Sequence, residues 1–427
     1  MIYRKELDSL GCYDVVVLGG GPAGVCAAVE AARGGARVLL AEASGMLGGM
    51  ATSGGVGPLM TSYDREGNRP VVGGLYREIV ERLQKYGAVI LPEDADSPSI
   101  HTSFIARYHR HVTPFDGFRL QVVLDEMAAE AGVDVLLYAH FADCICDEDG
   151  ICAVVLSCLE GLRTVSGKVF IDCTGTASVA AAAGVETWKG SEENGVPQPG
   201  TLMFEVDGVK DEAYTQRPLL PVKAYRTPVQ GRYKVNHYHV YSVDAADSRS
   251  MSAAHAEARK QVLKAYRVLH DETPGFENAE IAQVAPVLGV RESRHIDGKY
   301  RITVADVANG TRFEDRIAAY AFGMDIHSRA EEKLGEGGNF KIEVAETYYI
   351  PYRSMLPNGC SNLLVAGKTI ACESQAAGGL RCMPAAMAMG QAAGAAAAMA
   401  VKEDLLPQEV NVSVLQKHLL EHGAILD

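Results

Sequence analysis

Two apolar runs near the start of the chain frame a segment of small residues. The runs cover residues 14–18 (DVVVL) and 37–42 (RVLLAE), and the segment between them begins with a glycine-rich turn. Short β-branched runs on either side of a helix-length segment predict a strand, a helix and a second strand. Strands joined in this way are parallel, so the pattern predicts a sheet that helices cover.

In the residues that follow, the spacing of apolar positions is typical of helices in some segments and of strands in others. Apolar positions three or four residues apart predict helices over 75–86 and 119–131. Strand-like runs cover 133–137 and 168–172. The stretch between them, 141–166, alternates around turn signals, which predicts a small antiparallel meander.

The composition changes in the middle of the chain. Residues 191–200 are polar, with glycine and two prolines, and indicate a linker. Beyond the linker the pattern predicts strands over 201–206 and 233–243 and a helix over 252–270. The opening pattern, a short apolar strand followed by glycine, returns at residues 362–367.

The return of the opening pattern indicates a discontinuous domain. We predict an α/β protein whose first domain combines residues 1–190 and 345–427. An α+β substrate domain, residues 191–344, is inserted between these two parts.

Charge and hydropathy restrict the partners. The formal net charge is −14, so a surface that follows nucleic-acid phosphates or an anionic membrane is not expected. The longest apolar stretch, residues 384–401, is mostly alanine and only weakly hydrophobic, which favours a buried helix over a membrane span. Residues 1–13 lack the apolar core of a signal peptide. We expect a cytoplasmic protein with no nucleic-acid or membrane partner.

The ten cysteines contain no C-x-x-C pair. Cys144 and Cys146 alternate along a predicted strand and should share one face. Cysteines without metal or disulfide spacing are small core hydrophobes far more often than ligands. The sequence therefore predicts no metal centre and a reducing compartment.

The first chemical motif is the G-x-G-x-x-G of Gly19, Gly21 and Gly24. The first glycine permits a tight turn, the second a close approach of a pyrophosphate, and the third the packing of helix on strand. The N–H groups and the positive dipole end of the helix that Pro22 and Ala23 begin would face the diphosphate. A glycine-rich turn that binds nothing is the alternative.

Glu42 closes the second strand. Its carboxylate is placed to accept both ribose hydroxyls of an adenosine and would repel a 2′-phosphate. Residues 43–55 follow and are rich in glycine, so that the backbone can approach something flat and extended. A purely structural glycine loop is the alternative for this run.

The stretches 17–24, 42–55, 170–175, 349–353 and 362–394 together resemble the FAD-dependent oxidoreductases of the glutathione-reductase-like flavoprotein superfamily. The middle of the chain, about 190–344, resembles them weakly except at 289–294 and 325–327. The resemblance implies FAD rather than a nicotinamide, bound by a Rossmann-like domain of the glutathione-reductase type. It implies that Gly48 and Gly49 line the ribitol and the pyrophosphate, and that Thr174 and Gly175 end a strand that returns to the cofactor. A late strand in this superfamily often ends in Gly-Asp; here Gly367 is followed by Lys368.

The last glycine-rich motif precedes a second helix. Residues 378–384 lead into a segment of alanine, methionine and glycine, and Pro384 marks its first turn. By the resemblance, the helix start at Met383, Pro384 and Ala385 faces the flavin pyrimidine, where the dipole stabilises developing negative charge. A buried structural helix is the alternative.

Candidates for substrate chemistry lie around this helix start. Arg381 can orient a carboxylate or carbonyl group. Arg353, Arg294 and His327 are further candidates, for which a surface or ion-pair role is the alternative. Cys382 is either a reactive thiol at a helix N-terminus or a small buried residue.

These motifs predict an FAD-dependent dehydrogenase or reductase that acts on a small polar metabolite by hydride transfer at flavin N5. No second glycine fingerprint is evident, so electrons would pass to or from oxygen, a quinone, a carrier protein or a transiently docked nicotinamide. A non-redox dinucleotide-using biosynthetic enzyme on the same fold and an NAD-dependent dehydrogenase are the alternatives. The oligomeric state stays open.

Overall fold

The computed structural model describes residues 5–101, 109–148, 150–210, 222–327 and 342–427. The strands are β1 (Asp8–Leu18), β2 (Val38–Ala41), β3 (Asp134–Leu136), β4 (His140–Cys146), β5 (Ile151–Cys158), β6 (Gly161–Asp172), β7 (Thr187–Lys189), β8 (Phe204–Asp207), β9 (Ala224–Arg226), β10 (Tyr233–Val235), β11 (Glu280–Val284), β12 (Arg294–Ile296), β13 (Arg316–Tyr320), β14 (Tyr348–Pro351) and β15 (Leu363–Val365). The α-helices are α1 (Pro22–Arg33), α2 (Leu75–Lys85), α3 (Gly117–Ala131), α4 (Ser178–Ala182), α5 (Ser248–Glu272), α6 (Val304–Asn309), α7 (Ala377–Leu380), α8 (Met383–Glu403) and α9 (Val412–Glu421).

The main sheet joins both ends of the chain. Strands β3, β2, β1, β6 and β15 run parallel in that order. β6 is one continuous strand: its first half pairs antiparallel with β5, which pairs with β4, and its second half pairs with β15. The predicted meander and the predicted strand over 168–172 are therefore one unit. The fold is mixed α/β with a Rossmann-like domain, as predicted.

Helix α8 lies directly against α1. A Cβ atom on Gly390 would lie 2.1 Å from the Ala23 carbonyl oxygen, and one on Gly394 would lie 2.2 Å from that of Ala27. Two glycines four residues apart thus let the helix backbones touch. Among the described residues, α8 is the one helix long and apolar enough to span a membrane by composition, and it is largely buried, as expected.

A second sheet lies in the middle of the chain. Its four strands are antiparallel in the order β11-β8-β10-β9, and helix α5 packs its apolar side against them. The predicted strand over 233–243 ends at Val235, because Tyr238 and Ser242 have φ values of +57° and +56° that an extended strand does not tolerate. The predicted helix over 252–270 is longer at both ends, and the Asp247 side chain caps it.

Segments of the predicted inserted domain also contribute to the first core. Ile302, Val307 and Ile317 are buried in the same cluster as the apolar residues of α1 and α8. Residues 211–221 and 328–341 of the predicted insertion lie outside the described residues. The domain boundaries at 190 and 344 stay a prediction.

The two cysteines on β4 differ in burial. The sulfurs of Cys144 and Cys146 lie 3.5 Å apart on one face, as the alternation predicts. Cys144 is half-buried and packs against the buried residues of the main sheet, whereas Cys146 is exposed, so the assignment to the core is wrong for Cys146. Among the described residues, β4 is an edge strand that pairs with β5 alone.

Candidate functional site

The glycine-rich turn leads from β1 into α1. Gly19 has a φ of +101°, a conformation that favours glycine. A Cβ atom on Gly24 would lie 1.8 Å from the Gly19 carbonyl oxygen, so this position admits no side chain. A Cβ atom on Gly21 meets no atom within 4 Å. Gly19 and Gly24 therefore serve the packing of strand and helix, and Gly21 borders open space.

The start of α1 suits an anion. Pro22 is at the beginning of the helix, and no side chain of the described residues caps it. The first N–H groups of a helix have no intrahelical acceptor, and the dipole places partial positive charge there. A diphosphate in front of Gly21 would supply the missing acceptors.

Glu42 lies beside this turn, but its carboxylate already has protein partners. One oxygen accepts the Gly20 N–H at 2.7 Å, and the other accepts the Ser44 N–H at 2.7 Å. A carboxylate oxygen has two lone pairs, so each can still accept one ribose hydroxyl. Glu42 thus also holds the glycine-rich turn against the loop that follows β2.

The second glycine-rich loop packs on the first. The N–H of Gly48 donates to the Gly20 carbonyl at 2.7 Å. A Cβ atom on Gly49 would lie 2.8 Å from the Gly21 Cα atom. The φ values of Gly48 and Gly49 are +101° and +49°. The two loops can be this close only because both lack side chains.

The ends of β6 and β15 also lie next to the glycine-rich turn. Asp172, buried at the end of β6, accepts the Thr174 N–H and hydroxyl and two N–H groups of α4. This fixes the loop through Thr174 and Gly175. After β15, Gly367 has a φ of +94°, and a Cβ atom on it would lie 3.4 Å from that of Ala23. We call the residues around these loops the cradle: Gly19, Gly21, Pro22, Ala23, Gly24, Glu42, Gly48, Gly49, Thr174, Gly175 and Gly367.

A cavity of about 170 Å³ opens beside the cradle and the start of α8. Met383 begins that helix, Pro384 follows in its first turn as predicted, and Ala385 is fully buried behind them. Its lining combines apolar and polar residues, and we call the polar ones the polar wall. The polar wall consists of Thr201, Tyr225, Asn236, Arg291, Asp325, His327, Lys368, Arg381 and Cys382.

Arg381 enters the cavity immediately before α8. Its side chain is only 10% exposed, which excludes the surface ion pair that sequence alone left open. One terminal nitrogen, Nη2, donates to the Asp325 carbonyl at 2.8 Å and lies 3.4 Å from the Asp325 carboxylate. The other, Nη1, is buried and has no partner among the described residues. A buried donor without an acceptor is costly, and it indicates that a ligand supplies the acceptor.

Two further cations share the cavity. Lys368 is half-buried, and its Nζ donates to the Val290 carbonyl at 2.8 Å. Burial, and then Arg381, lowers the pKa of Lys368 to about 8, and the same two causes lower the pKa of Arg291 to about 9. Burial alone would raise the pKa of Asp325, but His327 and these arginines hold it well below its usual range. Three cations thus face one carboxylate.

Two neutral histidines connect opposite sides of this cavity. His327 Nε2 lies 3.2 Å from the Asp325 carboxylate, and His327 Nδ1 lies 3.1 Å from His239 Nε2. His239 Nδ1 lies 2.9 Å from the Thr201 hydroxyl, which also accepts from Arg291. Burial lowers the pKa of His327 to about 4 and that of His239 further.

The ionised Asp325 fixes the direction of these bonds. His327 must donate from Nε2, so its Nδ1 accepts from His239, whose Nδ1 then accepts from Thr201. His239 and His327 therefore each donate one hydrogen bond and accept another. Such a chain can pass a proton between the Thr201 side of the cavity and Asp325.

The structure does not bring the other two arginine candidates to the cavity. Arg353 pairs with Asp315 at 3.1 Å and stacks over Tyr300, in the ion-pair role that was its alternative. Arg294 donates to the Thr176 carbonyl from β12. Neither arginine lines this cavity, so their role at the substrate stays a prediction.

The thiol of Cys382 is not activated. Cys382 is the residue that precedes α8, where a helix dipole favours a thiolate. Burial nevertheless raises its pKa to about 12. The thiol stays protonated at neutral pH, which favours the structural role.

Sequence reasoning missed most of the polar wall. Arg291 and Asp325 lie in stretches, 289–294 and 325–327, where the middle of the chain resembles known flavoproteins, and this was the available signal. Lys368 stands where an aspartate was expected. Nothing in the sequence indicated that Thr201 and His239 would meet them.

The cradle fits a dinucleotide that carries a flavin. Gly21 borders open space where a branched side chain would intrude, an uncapped helix N-terminus faces it, and Glu42 retains acceptor capacity. The cavity with an unpartnered arginine nitrogen adjoins the start of α8. The fold and the site thus define a Rossmann-like dinucleotide-binding enzyme.

The sequence matches the family described as FAD dependent oxidoreductase over residues 14–419. The chain belongs to this family, and FAD is its cofactor. It is an oxidoreductase, as predicted. No curated protein matches the chain.

Solved structures share the fold at low identity. The chain is similar to the p-nitrophenol 4-monooxygenase PnpA from Pseudomonas putida DLL-E4, with a TM-score of 0.51, 12% identity, and 96% and 85% of the two chains covered. It is also similar to the myxobacterial chondrochloren halogenase CndH, a variant of FAD-dependent halogenases, with a TM-score of 0.50, 12% identity, and coverage of 96% and 78%. These likenesses show the fold alone.

Proposed function

We propose that the chain is an FAD-dependent dehydrogenase or reductase for a small polar metabolite that carries a carboxylate or carbonyl group. When bound, FAD supplies hydride acceptance or donation at N5 of its ring. The observation that carries the proposal is Arg381, whose buried Nη1 lacks a partner in the cavity. A carboxylate or carbonyl oxygen of a substrate would satisfy this donor.

The charges of the cavity support an anionic substrate group. Arg381, Arg291 and Lys368 face a single carboxylate, Asp325, so the site carries excess positive charge that an anionic substrate group would partly neutralise. Arg291 is already engaged, by Pro199, Thr201 and Asn236. Arg381 is therefore the cation that would bind the group directly, and Arg291 and Lys368 would act at longer range.

The histidine chain gives the proposal a route for a proton. Removing a hydride from a carbon that bears an O–H or N–H group also releases a proton, and the reverse reaction consumes one. Thr201 and Asp325 both line the cavity, and His239 with His327 connects them. We propose that these side chains hold and move that proton.

Apolar residues in the lining of the cavity would account for part of the binding. Met50, Val56 and Phe322 are among them, so the substrate would place its polar group at Arg381 and its carbon skeleton against these side chains.

We also propose membership of the glutathione-reductase-like superfamily, a cytoplasmic location, and an electron donor or acceptor that is a separate molecule.

The test is an anaerobic screen of small metabolites for bleaching of the flavin, or for reoxidation of the dithionite-reduced protein. We expect carboxylate-bearing compounds to react with wild-type protein and with Arg353→Met, but slowly with Arg381→Met. If turnover instead requires oxygen together with an external reductant, and oxygen enters the product, the proposal of direct hydride exchange with the substrate is wrong.

A further inference from the structure

Three side chains of metal-binding type meet near the end of α1: a carboxylate from α1 and two histidines from the last ten residues of the chain. Glu30 in α1 is almost fully buried. One of its oxygens, Oε1, lies 2.9 Å from His418 Nε2 and 2.6 Å from His422 Nδ1. These three atoms all lie within 4.8 Å of one another. His418 belongs to α9 and His422 follows its last residue, so the helix presents both imidazoles to one carboxylate.

The spacing of the histidines is the second observation. Residues four apart on a helix lie on one face, and two histidines so placed are a common pair of zinc ligands. The two rings are 3.9 Å apart between centroids, and both direct a nitrogen at the same oxygen. The carboxylate comes from the first fifty residues and the imidazoles from the last ten, so no local sequence pattern brings the three side chains together.

The carboxylate is held in place from its other side. Gln391 in α8 donates from Nε2 to Glu30 Oε2 at 3.1 Å, and its own oxygen accepts the Leu75 N–H at 3.1 Å. An outer hydrogen bond of this kind orients a metal-binding carboxylate. Oε1 is thereby left facing the two imidazoles.

The cluster has room for an ion with small movements. Ligand atoms around a tetrahedral zinc ion are roughly 3.3 Å apart. The two nitrogen–oxygen distances would therefore open by about half an ångström. The histidine side chains are 25% and 38% exposed, so they can move outward, and a water can occupy the fourth position.

We propose that Glu30, His418 and His422 bind a zinc-class divalent cation. Imidazole nitrogens with one carboxylate oxygen match the preferences of zinc and cobalt. The ion would connect α9 to α1, at the end of α1 remote from the cradle. Its role would be to fasten the C-terminal helix, independently of the reaction in the cavity.

The experiment uses tag-free, flavin-loaded protein treated with a chelator. Titration with Co²⁺ followed by visible absorption, and with Zn²⁺ followed by calorimetry, should show one ion per chain with the spectrum of tetrahedral cobalt. Zn²⁺ should raise the melting temperature of the wild type, because it binds the folded state. His418→Asn and Glu30→Gln should each lower Zn²⁺ affinity by at least about a hundredfold.

His140→Ala is the matched control, because His140 is an exposed histidine on β4. It should bind Zn²⁺ as the wild type does. Equal affinity in wild type, His418→Asn and Glu30→Gln, or the absence of both the cobalt spectrum and the thermal shift in wild type, would overturn the proposal. The cluster would then be a hydrogen-bonded group that neutralises a buried carboxylate.

Discussion

The cradle and the cavity lie side by side but are built in opposite ways. The cradle is mainly backbone: its glycines permit loops to touch, and a Cβ atom on Gly24 would collide with Gly19. The cavity is mainly side chain, with Arg291, Lys368 and Arg381 around Asp325. Backbone recognition suits a cofactor that is always the same, whereas charged side chains can be exchanged to change the substrate.

The two regions also differ in how they tolerate substitution. Within the cradle, Gly24 supports the packing of helix on strand, whereas Gly21, three residues earlier, borders open space for the ligand. Within the cavity, most polar groups have protein partners, and Arg381 Nη1 lacks one among the described residues.

The cradle is tested by Gly21→Val beside Gly24→Val. The Gly21 side chain would enter open space, so the variant should fold but show no FAD binding in a titration of the apoprotein. The Gly24 side chain would start 1.8 Å from a carbonyl oxygen, so this variant should lose on the order of 3 kcal/mol of stability or fail to fold. Circular dichroism and flavin fluorescence separate the two outcomes. If Gly21→Val binds FAD normally, the diphosphate does not lie there.

The cavity is tested by Arg381→Met beside Arg353→Met. The first should retain FAD and fold but lose turnover by about a hundredfold, the equivalent of one charge-assisted contact of about 2–3 kcal/mol. The second removes an arginine that pairs with Asp315 away from the cavity, and should leave turnover within about twofold. Steady-state kinetics with the substrate from the anaerobic screen provide the comparison. Equal losses in both variants would contradict the assignment of Arg381.

Glu42 is a side chain that contacts backbone. Its carboxylate accepts hydrogen bonds from backbone N–H groups and can still accept hydrogen bonds from the ribose hydroxyls. Glu42→Gln keeps one carbonyl acceptor but loses the charge, and should weaken FAD binding by roughly tenfold, about 1.5 kcal/mol. Glu42→Ala should weaken it more and also lower thermal stability, because the N–H groups of Gly20 and Ser44 lose their acceptor. Unchanged affinity in both variants would show that Glu42 does not hold the ribose.

The lowered pKa of the buried His327 predicts that the stability of the protein depends on pH. Burial lowers the pKa of His327 to about 4, and an unfolded histidine titrates near 6.5. Between these values the unfolded chain binds more protons, so stability is complete above pH about 6.5 and falls as the pH drops toward 4. In His327→Gln, the free energy of unfolding should decrease less over this pH range, by up to about 3 kcal/mol. Urea unfolding at several pH values measures the difference. An unchanged slope would mean that the pKa of His327 is not lowered in the folded protein.

The cradle is built mainly from nearby residues and the cavity from distant ones, which explains which site residues could be predicted from the sequence. The first strand, the glycine turn and Glu42 lie within thirty residues, so their chemistry is local and was predicted, as was Pro384 in the first turn of α8. The polar wall is assembled from segments more than a hundred residues apart, including Thr201 and Arg381, and no local pattern encodes that meeting. Arg353 and Arg294 were placed at the substrate because their neighbourhoods resemble known flavoproteins, yet each is bound elsewhere.

Local backbone geometry limited the prediction in the second sheet. The alternation over 233–243 predicts one long strand, but the positive φ values of Tyr238 and Ser242 end it early. The irregular segment that results places His239 against Thr201 and His327. The departure from the pattern is therefore what builds the histidine chain.

The proposed site depends most on a cation, Arg381, beside the flavin at the start of α8, and the effect of this cation on the flavin can be measured before any substrate is known. The midpoint potential of the bound FAD should be lower in Arg381→Met than in wild type, because a nearby positive charge favours the reduced cofactor. In Arg353→Met the potential should equal that of wild type. If the potential of Arg381→Met also equals that of wild type, Arg381 does not lie at the flavin, and the proposed site is wrong.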